Sequence, residues 1–258
     1  MIEPDPVGVI CALPEEIDHL RPLLSEADSR ELAGLSFEHG LLADTPVVLA
    51  ECGIGKVNAA IVSTLLIQQF GCGALMMVGV AGALDESLRV GDIVIADSAL
   101  QYDYGAMTDQ RIKPYPPGVP PLPGMEAPPA IPMLPSVFSD AKRLSETVDL
   151  PELDTAVIGG AVHKPALHFG PVVSGDAFLN CAATRRRLQA ETGGLVIEME
   201  GAAMAQVAVR FDVPWLIIRA VSDLAGDDSH LDFTAFGREA ARVTAPLVEA
   251  LVPSLVED

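Results

Sequence analysis

Glu198 and Glu200 close one apolar run, and Arg219, Ser222 and Asp223 close the next, inside Val196–His230, VIEMEGAAMAQVAVRFDVPWLIIRAVSDLAGDDSH. Charged side chains are seldom buried unless paired or put to use. Four of them at the ends of core-like runs predict a pocket floor that holds a polyhydroxylated, partly charged ligand. Glu15 and Glu16 stand where a first strand meets a first helix, in ALPEEI. A carboxylate there can face the strand-end crevice, although acids in a first helical turn are also ordinary residues.

Three further segments offer backbone or ring contacts. Val78–Gly82, VGVAG, ends a strand in small residues, which lets a ligand come close to the backbone at Val80, Ala81 and Gly82. Ser174–Asn180, SGDAFLN, follows an apolar run, and its Phe178 either stacks on a base or fills the core at a helix entry. Gly53–Lys56, GIGK, lacks the spacing of a phosphate-binding P-loop and reads as a tight turn with close backbone packing.

The elements that must carry these residues alternate between apolar β-branched runs and helical patterns. Strands are expected at Val7–Leu13, Leu35–His39, Val47–Glu51, Ala74–Val80, Asp92–Ala96, Leu167–Val173, Gly194–Glu198 and Trp215–Ala220. The second and third read as a hairpin around Ala43–Pro46. Helices are expected after Pro14, over Lys56–Phe70, over Ala202–Arg210 and over Thr234–Leu251. This alternation predicts an α/β fold: a three-layer α/β/α single domain over residues 1–258 around a central mixed, largely parallel twisted sheet. Ligands of such sheets bind at strand carboxyl ends. Pro114–Pro135 holds ten of the 21 prolines and can be neither a helix nor a central strand. It reads as an extended excursion, either a variable loop or a lid or subunit-contact segment.

Composition removes several classes of function. The formal charge is −20, the wrong sign for a nucleic-acid groove. Apolar runs such as Ala74–Val80 and Pro214–Ile218 are too short to span a bilayer, and the opening residues lack a basic leader. Cys11, Cys52, Cys72 and Cys181 form no CxxC pair and no Cys/His cluster, so they read as buried reduced thiols of a cytoplasmic protein.

Taken in order, ALPEEI, GIGKVNAA, VGVAGALDESLRVGDIVIAD, VSGDAFLN, EMEGAA and RAVSDLAGDDSHLDF resemble the nucleoside phosphorylase/hydrolase superfamily over nearly the whole chain. Within it the segments look most like the 5′-methylthioadenosine/S-adenosylhomocysteine nucleosidases. The match is weakest over Leu100–His163. The resemblance implies that Glu16 activates the attacking water and that Asp223, oriented by Ser222, protonates adenine N7. It implies that Glu200 binds the ribose hydroxyls above Met199, with Glu198 and Arg219 around the ribose and water site. Phe178 would stack on adenine and the Leu179 backbone would read the base edge. No cofactor and no metal is implied, and a homodimer is.

These roles suit the chemistry. Breaking an N-glycosidic bond builds positive charge on the ribose and negative charge on the base, so one group must protonate the base while another deprotonates water. Two carboxyls in different surroundings divide such work in other glycoside hydrolyses. An ionised carboxylate accepts from two adjacent hydroxyls. Phosphorolysis instead needs cationic donors. Where the superfamily's phosphorylases carry an Arg and a Ser, this chain has Met76 or Met77 and Val80, and a carboxylate beside the nucleophile repels phosphate. Hydrolysis is therefore expected, with a purine nucleoside phosphorylase, a futalosine-type hydrolase and a catalytically silent nucleoside binder as alternatives. The chain departs from the family at Val80, where the nucleosidases commonly have Ser, and at Tyr102-Asp103, where they usually have His-Asp. The Pro114–Pro135 excursion lies near where family members close the 5′ pocket from the partner subunit, so the 5′ substituent is the least defined feature.

Overall fold

The computed structural model describes residues 5–109, 111–120, 122, 124, 127–158, 163–225 and 233–256. Its strands are β1 (Val7–Cys11), β2 (Ser25–Leu32), β3 (Leu35–Leu42), β4 (Thr45–Glu51), β5 (Ala74–Ala83), β6 (Ile93–Gln101), β7 (Gly105–Thr108), β8 (Arg111–Pro114), β9 (Ile131–Pro132), β10 (Leu167–Ser174), β11 (Val196–Glu198) and β12 (Trp215–Asp223). Its helices are α1 (Pro14–Ile17), α2 (Lys56–Phe70), α3 (Pro135–Ser145), α4 (Thr155–Ile158), α5 (Ala182–Thr192), α6 (Gly201–Arg210) and α7 (Phe233–Leu251).

Ten strands form one sheet in the order β11-β10-β6-β12-β5-β1-β4-β3-β2, with β9 against β6. Apolarity without alternation marks the middle. Every residue of β1 and β12 is buried, as is most of β5, because both faces of these strands are covered. At the other extreme β2, SEADSREL, is an exposed charged edge strand. It pairs antiparallel with β3, which forms the expected hairpin with β4.

The sheet is less parallel than its alternating sequence suggests. Among the described residues, five of its ten pairings are parallel and five antiparallel. Two of the antiparallel pairings shape the site. Strand β6 runs against β12, and β11 returns to pair with the end of β5, Val196 opposite Ala83 and Ile197 opposite Gly82. The sheet thus closes through β5, β12, β6, β10 and β11. That closure lays Glu198 and the residues after it across the carboxyl end of β5.

The proline-rich segment, where described, contributes only the two-residue β9 at the edge of β6 before α3 begins at Pro135. An edge position suits Pro132, which has no N–H to give a ladder. No helix among the described residues is long and apolar enough to cross a membrane. Cys11, Cys52 and Cys72 are buried free thiols, whereas Cys181, expected to be buried, is exposed at the start of α5.

Candidate active site

Three carboxylates and one guanidinium meet where the sheet closes. Glu16 is the third residue of α1, a single turn that begins at Pro14. Its Oε2 accepts the N–H groups of Ala12 at 2.8 Å and Leu13 at 2.9 Å, and its Oε1 accepts that of Val80 at 2.9 Å. Burial raises its pKa, against the pull of Arg219 and these three N–H groups.

Arg219 stands opposite Gly79 in the β12–β5 register and is wholly buried. It pairs with Glu198 and lies 3.5 Å from Glu200. Burial opposes its charge, but Glu198, Glu200 and Glu16 together hold its pKa above the ordinary value. Among the described residues its Nη1 and Nε have no hydrogen-bond partner. Gly79 makes this crowding possible: a Cβ there would stand 2.4 Å from Arg219 Nη1 and 2.5 Å from Glu16 Oε1. The glycine that read as room for a ligand is room for this pair.

Glu198 ends β11. It accepts from Ser174 Oγ, from Arg219, and from the N–H groups of Gly201 at 2.7 Å and Glu200 at 3.2 Å. Four donors thus converge on this one carboxylate. Glu200 is the N-cap of α6, and its Oε1 accepts the Gly55 N–H at 2.8 Å. Burial first, then the neighbouring Glu198 charge, pushes its pKa up to about 7, while Arg219 and the Gly55 N–H oppose the rise.

Asp223 lies beyond a bulge in β12, opposite Gly82. Ser222 Oγ reaches Asp223 Oδ2 at 2.8 Å and the Ala81 carbonyl at 3.2 Å, and Ala225 N–H donates to Oδ1 at 2.7 Å. Ala225 holds a left-handed backbone, φ +46°, a conformation costly for a residue with a Cβ. Here it turns the N–H onto the carboxylate.

One cleft joins these groups. Gly82, Ala177, Phe178, Leu179, Ile197, Glu198, Met199 and Asp223 line it. Phe178 is 58% exposed, which settles it as a cleft wall and not a core side chain. Glu16, Val80, Glu200 and Arg219 adjoin the cleft through the network around Glu198. Val80 enters by its N–H and Ala81 by its carbonyl, while Arg219 sits beneath the carboxylates. The 226–232 part of the SDLAGDDSHLDF motif lies outside the described residues. Sequence reasoning missed Gly55 and Ala225, whose contributions are single N–H groups with no side-chain signature. No group of three His, Cys, Asp or Glu able to hold a metal occurs among the described residues.

A family model described as the phosphorylase superfamily matches residues 6–253, so the fold is that of a phosphorylase-superfamily protein. A 5′-methylthioadenosine/S-adenosylhomocysteine nucleosidase of Mycobacterium tuberculosis is 44% identical over 249 residues, covering 96% of this chain and 97% of that one. One of Staphylococcus aureus is 35% identical, covering 96% and 100%. The crystal structure of the Neisseria meningitidis nucleosidase with methylthio-immucillin-A matches with a TM-score of 0.79 and 31% identity, covering 97% of this chain and all of that one. The chain belongs to the 5′-methylthioadenosine/S-adenosylhomocysteine nucleosidase family of that superfamily.

Two outcomes are expected of this geometry. Gly79→Ala should cost about 1–3 kcal/mol of stability in denaturant unfolding, the ordinary cost of overpacking, because Glu16 and Arg219 must both move. Glu200 should give ribonucleoside binding a pH dependence. Protonation below pH about 7 removes an acceptor, so affinity should fall by up to about tenfold per unit on the acid side, and Glu200→Gln should flatten the curve. The folding contribution of Glu200 has the opposite sign. Its raised pKa makes the unliganded fold bind more protons than the unfolded chain, so stability is lost as pH rises from the ordinary carboxyl range through about 7. Titration calorimetry and melting across pH 5 to 8 read the two effects separately.

Proposed function

We propose that this protein hydrolyses the N-glycosidic bond of 5′-substituted adenosines, 5′-methylthioadenosine and S-adenosylhomocysteine, releasing adenine and the 5′-thioribose. One observation carries the reading. Glu16 and Asp223 meet the same strand, β5, at Gly79 and Gly82. Both glycines lie in the carboxyl-terminal half of β5, so a base-side acid and a water-side base stand at the same end of the sheet.

The roles follow from the partners. Asp223, aimed by Ser222 and the Ala225 N–H, passes a proton to the leaving base at N7. Phe178 stacks on that base and the Leu179 backbone meets its edge. Glu200 accepts the ribose hydroxyls over Met199. Glu16 Oε1 and Arg219 Nη1 converge above Gly79, where one takes a proton from water and the other orients it. Glu198 anchors Arg219. Three carboxylates against one guanidinium leave the floor negative, which favours the cationic sugar of the transition state.

Water is favoured over phosphate as nucleophile by the occupied donors of the GIGK turn. The Gly55 N–H is taken by Glu200, the Lys56 N–H by Asp176 at 2.8 Å, and Lys56 Nζ by Asp103. We place the enzyme in the cytoplasm, in keeping with the buried free thiols of Cys11, Cys52 and Cys72. We also propose a homodimer. Ile54, Val57 and Ile61 form an exposed apolar stripe along the start of α2 beside the cleft, which a second copy would cover.

Adenine release from methylthioadenosine should proceed equally with and without phosphate; strict phosphate dependence would establish a phosphorylase instead. Asp223→Asn should lower kcat by about 10²–10⁴ while nucleoside affinity stays near wild type, because an amide cannot protonate N7. Glu16→Gln should lower kcat over a similar range. A variant at either position that turns over normally removes that residue from its role.

A further inference from the structure

Lys56 opens α2, where a cation opposes the helix dipole and the first turn offers no acid of its own. Its N-cap, Gly55, has no side chain to receive the free N–H groups. Both problems are solved by carboxylates far away in the chain. Lys56 N–H donates to Asp176 Oδ1 at 2.8 Å, and Asp176 N–H donates to Asp103 Oδ2 at 2.8 Å. Asp103 Oδ1 then receives Lys56 Nζ at 2.5 Å. The three residues close a ring of charge-assisted hydrogen bonds. Gln101 adds a second acceptor for Nζ at 3.1 Å and is itself bonded to Gln206. Asp103 and Lys56 are mostly covered, with side chains 22% and 15% exposed.

The ring sits directly below the base wall. Asp176 precedes Phe178 by two residues and Leu179 by three. Tyr102, next to Asp103, supports the same loop: its ring fills the space where a Cβ on Gly175 would stand, and its hydroxyl lies 3.4 Å from the Ala177 carbonyl. The loop is also tied by the Gly175 N–H to the Glu198 carbonyl at 3.1 Å, and its Phe178 is largely exposed. The other side of the ring is the helix end whose Gly55 N–H holds Glu200.

We propose that Lys56 and Asp103 are positioning residues that fix the Phe178–Leu179 loop, and so set the enzyme's hold on the purine base. Neither touches substrate. The inference rests on the nucleosidase reading for the identity of the base. Because the ring acts on base binding, its loss weakens the ground-state and transition-state complexes alike and appears in KM more than in kcat.

The test uses near-isosteric variants, Lys56→Gln and Asp103→Asn, and their double. In Asp103→Asn the amide can accept from Lys56 but meets the Asp176 N–H with a donor, so one ring bond is lost without change of volume. Adenine affinity by titration calorimetry and KM for methylthioadenosine should each worsen roughly tenfold in either variant, the scale of one charge-assisted hydrogen bond. The expected kcat stays within about threefold of wild type, and the double variant is little worse than either single, as members of one ring require. Unchanged adenine affinity, or losses that multiply in the double variant, would overturn the proposal. So would a fall in kcat at constant KM. Wild-type turnover tests the nucleosidase reading separately. A wild type that binds adenine yet releases none from methylthioadenosine defeats that reading and leaves the binding comparison intact.

Discussion

A guanidinium buried in the middle of an apolar strand governs the architecture of the site. Arg219 interrupts WLIIRAVSD, every residue of which is buried. Such a charge is stable only if its surroundings return what hydration would have supplied. Glu198 and Glu200 do so directly and Glu16 at longer range, and each of these carboxylates is then held by backbone N–H groups. The demand propagates outward. Glu198 must reach Arg219, so β11 must fold back on β5. Gly79 must lack a side chain, since β12 puts Arg219 opposite it. The sheet closes where the charges need it to close.

Backbone N–H groups at helix ends complete the arrangement. Three short-range features, the α1 turn, the start of α6 and the N-terminus of α2, each present unsatisfied donors, and each is occupied by a carboxylate of the site or its support. Glu16 caps the turn it belongs to, Glu198 receives the first N–H groups of α6, and Glu200 with Asp176 receive those of α2. Helix dipoles thus fix carboxylates without further cations. The result is a cluster in which Glu198 gathers four donors, while burial and the neighbouring Glu198 carry Glu200 up to about 7.

Much of this was legible in the residues. Runs that are apolar on both faces announce β1, β5 and β12, and the Gly53–Gly55 turn opens Lys56–Phe70, which the structure keeps. Charges at the ends of such runs marked Glu198, Glu200, Arg219 and Asp223. What escaped was of three kinds. Strand β2 is exposed except at Leu32 and has no alternation to read, since it gains its place chiefly by pairing with β3. The closure of β11 on β5, and the antiparallel β6–β12 pairing, are long-range choices that periodicity does not encode, and they made the sheet more mixed than alternation suggested. Gly55 and Ala225 contribute only N–H groups, and residue type is silent about these.

Val80 shows why a side-chain comparison misjudges this site. A valine where relatives of this kind commonly carry serine looks like a lost hydroxyl. In the structure the atom of Val80 that serves Glu16 is its backbone N–H, 2.9 Å from Oε1, which any residue but proline supplies. Its side chain packs against the cluster of Ala220, Phe236 and Ala240, under the start of α7. A β-branched apolar residue there improves burial on β5 and costs the carboxylate nothing. The position therefore tolerates the exchange because its two duties fall on different atoms. By the same reasoning, Arg219 and Gly79 tolerate none, since there the whole side chain, present or absent, is the duty.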